Sequence, residues 1–443
     1  MAVGEAGLSA ESQQAAVPRA AAIYLAVVQF FLATTWVVYA LYLPGLAEMV
    51  GIGRERIASV LLLDQLVFVA TDFAMGVAAD RVERLFGRLA PPIVAATTVS
   101  CLAFLLIPQV PALSQALGPL APAVFLGLAV VWSASSSALR APPWALLAKY
   151  AAAPSVPWLA ALYLVGLSVA SAVAPYLGLA LRDVDPRLPF ALSSLTLLAT
   201  TVGLLRVERA LRSSIASAGR PSPLPEPGRL GGTDGAPSGT TAPPSPPGKA
   251  ARLLGAFAVA TAILALGFQA QSSFNAAAQY LRFASPADLP LLLPIFWIGF
   301  SLFSLPASRL TARAGELAVM AWAAGLGTIG LLVAALAPNL ALTIVAQLVA
   351  GGAWGCVLTA GLAAAVDLGR VGREGGVLGL WFSVQAVAAV LRLALVAGAL
   401  DKAPPLAALL PWAPPALWLA GAVVLALAIS RAGRGRSAWL ALA

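Results

Sequence analysis

Long apolar runs separated by short polar segments are the dominant pattern of this 443-residue chain. A helix that rises 1.5 Å per residue needs about 20 mainly apolar residues to cross roughly 30 Å of hydrocarbon. The pattern therefore predicts twelve membrane-spanning helices in two sets of six. The first set covers residues 20–43, 57–79, 91–110, 120–139, 156–181 and 188–207, and the second covers residues 252–281, 289–305, 317–337, 340–366, 375–400 and 406–430.

A polar segment divides the two sets of predicted helices. Residues 213–249 are rich in Pro, Gly, Ser and Thr, and such a segment cannot bury enough apolar surface to offset its ordering entropy. We interpret it as a disordered linker between two bundles, residues 20–212 and 250–430, with tails at 1–19 and 431–443. The predicted fold class is all-α integral membrane, with twelve transmembrane helices in two pseudo-symmetric six-helix bundles.

The composition supports a membrane protein and argues against an enzyme. With 60% hydrophobic residues, 10% charged residues and a mean hydropathy of +0.90, the chain is too apolar for a water-soluble enzyme or a nucleic-acid-binding protein. It has no histidine, so proton chemistry must use carboxylates, and Cys101 and Cys356 both fall inside apolar runs. No phosphate-binding loop motif occurs. We therefore predict no enzymatic activity, no metal and no cofactor.

The basic residues predict the orientation of the chain in the membrane. With Arg140 and Arg392 left out as ambiguous, 19 Lys and Arg residues lie at or beyond the helix ends on one side and six on the other. The positive-inside rule then places both termini and the linker in the cytoplasm. We expect a monomer in a bacterial-type inner membrane, with the lipid bilayer as its surroundings and no nucleic-acid partner.

The turn after the second predicted helix carries the most specific motif. Gly76 is followed four residues later by Asp80-Arg81, and then by Gly87-Arg88. Glycine permits close helix approach, and an aspartate can cap or pair at a helix end. The turn resembles the cytoplasmic signature of the major facilitator superfamily. This resemblance implies a transporter fold, in which these residues form a conformational motif.

The second half repeats the turn imperfectly. Residues 306–315 (PASRLTARAG) keep the basic spacing, but Ser308 stands where the aspartate would be. A degenerate copy of this kind is what duplication of a six-helix unit predicts.

Two short segments resemble particular branches of the superfamily. The stretch from Asp72 to Gly76 with Gly87-Arg88, and residues 139–147 (LRAPPWALL), are similar to sugar–cation symporters of the glycoside-pentoside-hexuronide and sucrose-transporter-like families. The second segment also resembles bacteriochlorophyll-delivery proteins. One turn before Asp72, the carboxylate of the melibiose-permease pattern is replaced by Phe68. We therefore favour a proton over sodium as the coupling ion.

Ionisable residues inside the predicted helices are the first candidates for chemistry, because a charge in the membrane is costly unless it is paired or hydrated. They are Asp64, Asp72, Arg140 and Arg392. We expect Asp64 and Asp72 to couple an ion, with Asp64 and Arg392 also forming a gating ion pair between the bundles. Arg140 would be the partner of Asp72 or a solute contact. The alternatives are that Asp72 braces packing, Arg392 snorkels to the interface and Arg140 is a boundary charge.

Polar and aromatic residues within the helices are the candidate solute contacts. Gln271, Asn275 and Gln279 recur at four-residue intervals, so we expect them to share one helix face. The alternative readings are hydrogen bonds between helices for the amides and ordinary packing for the tryptophans. The predicted solute-binding residues are Gln29, Tyr39, Trp132, Arg140, Gln271, Asn275, Trp354, Trp381 and Gln385.

The pattern as a whole favours a secondary transporter that works by alternating access. We predict proton-coupled symport of a small polar solute, such as a sugar. Two alternatives stay open at this point: proton-driven efflux of an amphipathic compound, which an aromatic cavity would also fit, and a transporter-fold factor that handles a pigment or assembles a partner.

Overall fold

The computed structural model describes residues 19–86, 88–150, 155–218, 247–369 and 373–432. Within these ranges, twelve helices are long and apolar enough to cross a membrane, which confirms the all-α, twelve-helix prediction. We number them spans 1–12 by their α-helices. They are Arg19–Met49, Ile57–Phe86, Ala90–Leu106, Ala121–Ser136 with Ala141–Tyr150, Val156–Ala180, Arg187–Ala218, Pro247–Ala270 with Ala276–Leu281, Pro294–Ala314, Glu316–Leu336, Leu340–Gly369, Glu374–Ala397 and Ala413–Ala432.

Two of the spans are interrupted. A 3₁₀ turn, Ser137–Leu139, divides span 4, and a π-turn, Gln271–Asn275, divides span 7. Both interruptions change the direction of the side chains that follow, because neither turn keeps the 3.6-residue period. The other short helices lie in the connections; for example, Pro286–Asp288 and Leu289–Leu292 lead into span 8.

The spans pack as two six-helix bundles with the same internal arrangement. In the first bundle span 1 packs on spans 5 and 6, and span 3 on spans 4 and 6; in the second, span 7 packs on spans 11 and 12, and span 9 on spans 10 and 12. Between the bundles, span 2 packs on span 11 and span 5 on span 8. A pseudo-two-fold axis relates span 2 to span 8 and span 11 to span 5, so it exchanges these two contacts.

Glycines let the helix backbones touch where the bundles are tightest. A Cβ at Gly351 of span 10 would overlap the Phe296 carbonyl oxygen of span 8, and one at Gly299 would overlap the Leu348 carbonyl oxygen. Membrane helices associate mainly through such close van der Waals packing, because lipid is as apolar as their side chains.

The even-numbered spans end, and the odd-numbered spans from 3 onward begin, at one face of the molecule. We call it the motif face because Asp80 lies there, and the opposite one the far face. At the motif face, span 6 continues to Ala218 and span 7 begins at Pro247, so both helices enter the ends of the predicted linker. The rest of that linker, residues 219–246, and the predicted tails at 1–18 and 433–443 lie outside the described residues.

Candidate functional site

A buried carboxylate joins the two bundles at the motif face. Asp80, near the end of span 2, accepts a hydrogen bond from the Gly375 N–H at Oδ1 and another from the Gly376 N–H at Oδ2, each at 2.8 Å. These two amides belong to the first turn of span 11, where backbone N–H groups have no partner within the helix and the helix dipole favours a negative charge. We call this contact the latch.

Three glycines bring spans 2 and 11 into backbone contact beside the latch. A Cβ at Gly76 would overlap the Gly375 carbonyl oxygen and come within 2.9 Å of Gly379 Cα. A Cβ at Gly379 would lie 2.6 Å from the Asp72 carbonyl oxygen. No larger residue fits at these positions without separating the bundles, so the glycines and the latch together close the motif face.

Two of the remaining motif residues, Arg81 and Arg88, are exposed, and a third, Gly87, lies outside the described residues. In the second-half turn, the Ser308 hydroxyl donates to the Leu305 carbonyl of its own helix, at 2.6 Å. The latch therefore belongs to the first half of the duplication.

An ion pair lies about two helical turns deeper than Asp80, on the same span. The Arg140 guanidinium is 3.0 Å from Oδ2 of Asp72, which is completely buried. The guanidinium also lies over the rings of Phe68, 4.8 Å from the centroid, and of Phe382, at 5.1 Å. Since Phe382 belongs to span 11, Arg140 is held between the bundles.

The depth of Arg140 corrects the sequence-based boundary of span 4. The helix resumes after the 3₁₀ turn and runs for ten more residues, Ala141–Tyr150, toward the motif face. At 1.5 Å per residue this adds about 15 Å. The alternative of a boundary charge is therefore wrong, and the predicted pairing of Arg140 with Asp72 matches the geometry.

We predict that Asp72 and Arg140 stabilise the fold only as a pair. Asp72→Asn or Arg140→Gln leaves one charge unpartnered among apolar groups, at a cost of about 3–5 kcal/mol, and the double variant removes both charges. In detergent, the unfolding temperature should fall sharply for each single variant and should recover in the double variant. Losses that simply add in the double variant would contradict this coupling.

Further hydroxyl contacts cross between the bundles at mid-span. The Ser383 hydroxyl of span 11 donates to the Val69 carbonyl of span 2 at 2.9 Å, and the hydroxyls of Ser168 and Ser301 lie 2.6 Å apart between spans 5 and 8. These contacts occupy the two interfaces that the pseudo-two-fold axis relates. Each interface thus carries a polar bond that alternating access would have to exchange.

Asp64 lies in the first bundle, about two turns nearer the far face than Asp72. Its Oδ2 accepts a hydrogen bond from the Tyr39 hydroxyl at 2.9 Å, and its Oδ1 accepts one from the Ser133 hydroxyl at 2.7 Å. Only 1% of Asp64 is exposed, and among the described residues no cationic group lies within ion-pair distance of it. Two neutral hydroxyls therefore hold this carboxyl group.

The predicted Asp64–Arg392 ion pair is absent from this conformation. The Arg392 guanidinium on span 11 donates from Nη1 to the Ser273 hydroxyl of span 7, 3.2 Å away. The physical reason is that each group faces a neighbour in its own bundle, Asp64 toward spans 1 and 4 and Arg392 toward span 7. A gating pair in another conformation stays a prediction.

An aromatic cluster covers Asp64. The Trp132 ring centroid lies 4.4 Å from that of Tyr39, 4.7 Å from that of Trp36 and 5.0 Å from that of Phe104. Trp132 and Tyr39 are fully buried. These two predicted solute contacts pack against their neighbours in this conformation, and they shield the carboxyl group of Asp64 from water.

The predicted polar face of span 7 is wrong in its detail. Gln271 and Gln279 do meet, with Gln271 Nε2 2.9 Å from Gln279 Oε1, and Gln347 of span 10 donates to the same oxygen at 2.6 Å. Asn275 instead turns to the Leu410 carbonyl oxygen, 2.9 Å away. The π-turn breaks the four-residue period, so the three amides do not form one stripe. They are buried and join helices within the second bundle.

The other predicted solute contacts are buried or half-buried. Trp354 stacks on Phe268, with the centroids 4.7 Å apart, and both it and Trp381 are buried. Gln29 is buried, with its Oε1 unpartnered, whereas Gln385 is half-buried. Sequence reasoning missed six polar residues that make the contacts described above. They are Ser133, Ser168, Ser273, Ser301, Gln347 and Ser383. A lone Ser or Gln in an apolar run gives little signal of its partner.

No protein-family model and no curated protein matches the sequence, but solved structures match it over nearly its full length. A bacterial homologue of the iron transporter ferroportin, in an outward-facing state with soaked iron, is 15% identical, covers 92% of this chain and 99% of its own, and has a TM-score of 0.68. The human organic anion transporter MFSD10 (TETRAN) is 15% identical, with coverages of 94% and 99% and a TM-score of 0.63. The Escherichia coli fucose:proton symporter is 13% identical, with coverages of 95% and 99% and a TM-score of 0.58.

These similarities identify the architecture. The chain has the major facilitator fold, in agreement with the resemblance of its motif turn, and it is an integral membrane protein. At such identities only the fold is shared. These structures therefore do not support the narrower likeness to sugar–cation symporters.

Proposed function

We propose that this protein is a secondary transporter that carries a small polar solute across the membrane by alternating access, coupled to a proton. The closed motif face is the observation that carries the proposal. Asp80, Gly76 and Gly379 hold spans 2 and 11 together through bonds and contacts that a rocking motion of the bundles can break and remake. The structurally similar proteins are described as transporters, and one of them as a proton symporter, which agrees with this assignment.

The two buried aspartates suit different parts of the cycle. Asp72 is paired with Arg140, which also contacts Phe382 of the other bundle, so this pair lies where the bundles must separate. Asp64 has only the hydroxyls of Tyr39 and Ser133, and a proton on it leaves no cation stranded. We therefore assign proton binding to Asp64 and the coupling of the bundles to Asp72 with Arg140.

A reversible cross-link tests alternating access directly. A Cβ at Gly376 would lie 3.7 Å from Cγ2 of Val77 across the bundle interface, close enough for a disulfide after small adjustments. The variant Val77→Cys/Gly376→Cys, in a chain with Cys101 and Cys356 replaced by alanine, is reconstituted in liposomes. Uptake from a panel of sugars, organic acids and amphipathic cations is then measured under an imposed pH gradient.

We expect gradient-driven accumulation of at least one compound by the reduced protein. Oxidation should stop it, because the motif face can no longer open, and reduction should restore it. Each single-cysteine variant, treated in the same way, is the matched control. Extrusion driven by the gradient would favour efflux, and no flux of any compound would favour an assembly factor. Flux that persists with the cross-link formed would overturn alternating access at this interface.

A further inference from the structure

Of the four ionisable residues predicted to lie inside the membrane, Arg392 alone has no role in the proposed cycle. Asp72 and Arg140 neutralise each other, and Asp64 can be neutral with a proton bound. An arginine keeps its charge in proteins. Among the residues that the structure describes, no carboxylate lies within ion-pair distance of Arg392. Its only hydrogen bond there is the 3.2 Å contact to Ser273, and its buried Nε has no partner.

The position of Arg392 on span 11 places it beside another polar residue. At 100° per residue, Arg392 projects within about 20° of Gln385, seven residues earlier. It projects about 140° away from the exposed Val387 and about 40° away from the exposed Val396. Arg392 and the half-buried Gln385 therefore lie on one face of span 11, and Arg392 meets span 7 through Ser273.

Span 7 faces Arg392 at its π-turn. Ser273 lies within that turn, is exposed, and directs its hydroxyl at the Arg392 guanidinium. Turns of this kind interrupt the helical register, often at functional sites. The Arg392 guanidinium and the Ser273 hydroxyl meet here, and the Gln385 amide lies about two helical turns away on the same face of span 11. All three groups can donate hydrogen bonds. Such a set recognises a carboxylate or a phosphate.

We propose that Arg392, with Ser273 and Gln385, binds the anionic group of the transported solute, which makes the solute a carboxylate or a phosphate ester. The inference rests on the proposed function, which it narrows to an anionic solute. A monoanion bound at Arg392 together with a proton on Asp64 would cross the membrane without net charge. A lipid headgroup offers the same anionic chemistry, and the experiment below separates the two sources.

Binding can be measured without transport, so the two proposals can fail separately. The purified protein in neutral detergent is heated with lactate, gluconate, succinate or inorganic phosphate, and with glucose and the methyl ester of lactate as uncharged counterparts. We expect at least one anion to raise the unfolding temperature, with its uncharged counterpart inactive. Arg392→Gln should weaken the apparent affinity by about tenfold or more, and Arg392→Lys by less.

The matched control is Arg54→Gln, at an exposed arginine of the far face, which should leave the anion effect unchanged. The measurement is repeated in nanodiscs of phosphatidylcholine with and without phosphatidylglycerol. Stabilisation by the anionic lipid alone, or an anion effect that survives in Arg392→Gln, would overturn the solute assignment. Anion binding without flux would support the site and overturn transport. Uptake of a neutral sugar that is unaffected by Arg392→Gln would leave the transporter in place and overturn the anion site.

Discussion

Asp64→Asn should abolish proton-driven accumulation of solute while leaving exchange of solute across the membrane intact. The amide has the shape of the carboxyl group but cannot gain or lose a proton. Its oxygen can still accept a hydrogen bond from Tyr39 or Ser133. Because the covering aromatic cluster remains, we expect the variant to fold and to bind solute. Uptake under a pH gradient and exchange of labelled for unlabelled solute, measured in the same liposomes, separate the two activities.

Ser133→Ala is the matched control for this prediction. It removes one hydrogen bond to Asp64 and keeps the group that takes the proton. We expect it to retain gradient-driven accumulation with a shifted pH dependence. If Asp64→Asn still accumulates solute in response to a pH gradient, Asp64 is not the proton site, and Asp72 becomes the next candidate.

Gly76→Val should open the motif face. The added side chain would overlap the Gly375 carbonyl oxygen and press on Gly379 Cα, and both are backbone atoms of a helix that cannot move aside singly. Span 11 as a whole must withdraw from span 2, which also breaks the two latch bonds to Asp80. The bundles should therefore be displaced toward the state open at this face. Spin labels on the motif-face ends of spans 2 and 11 should show a longer distance than in the wild type.

Gly127→Val provides the control, because no atom lies within 4 Å of a Cβ built at Gly127 of span 4. It makes the same substitution in a membrane helix without touching the interface. Its label distances and its transport should match those of the wild type. Equal distances in the Gly76→Val protein and the wild type would show that the glycine contact does not set the conformation.

The twelve spans could be predicted from the sequence because each depends on a local property, the length of an apolar run. The motif turn could also be predicted, since Gly76 and Asp80 lie at a fixed spacing on one helix. The partner of Asp80 could not be predicted. It is a pair of backbone amides nearly 300 residues away, and backbone amides leave no mark in the sequence.

The failures on the charged and polar residues have two physical causes. The three amides of span 7 were placed on one face by assuming a regular helix, and the π-turn from Gln271 to Asn275 breaks that assumption. Asp64 and Arg392 were paired because their charges are opposite and their depths are similar. Depth fixes only one coordinate, and hydroxyls on neighbouring spans proved closer to both groups.

Under the proposed alternating access, the unequal turns of the two halves determine which state the protein prefers when no solute is bound. Asp80 ties one bundle to the helix end of the other, whereas Ser308, at the related position, bonds within its own helix. With two identical halves, neither conformation would be favoured. Because Asp80 of the first half makes the latch and Ser308 of the second half does not, we expect the empty protein to rest closed at the motif face and open at the far face. Solute on the far side could then bind at once, whereas solute on the motif side could bind only after the latch breaks.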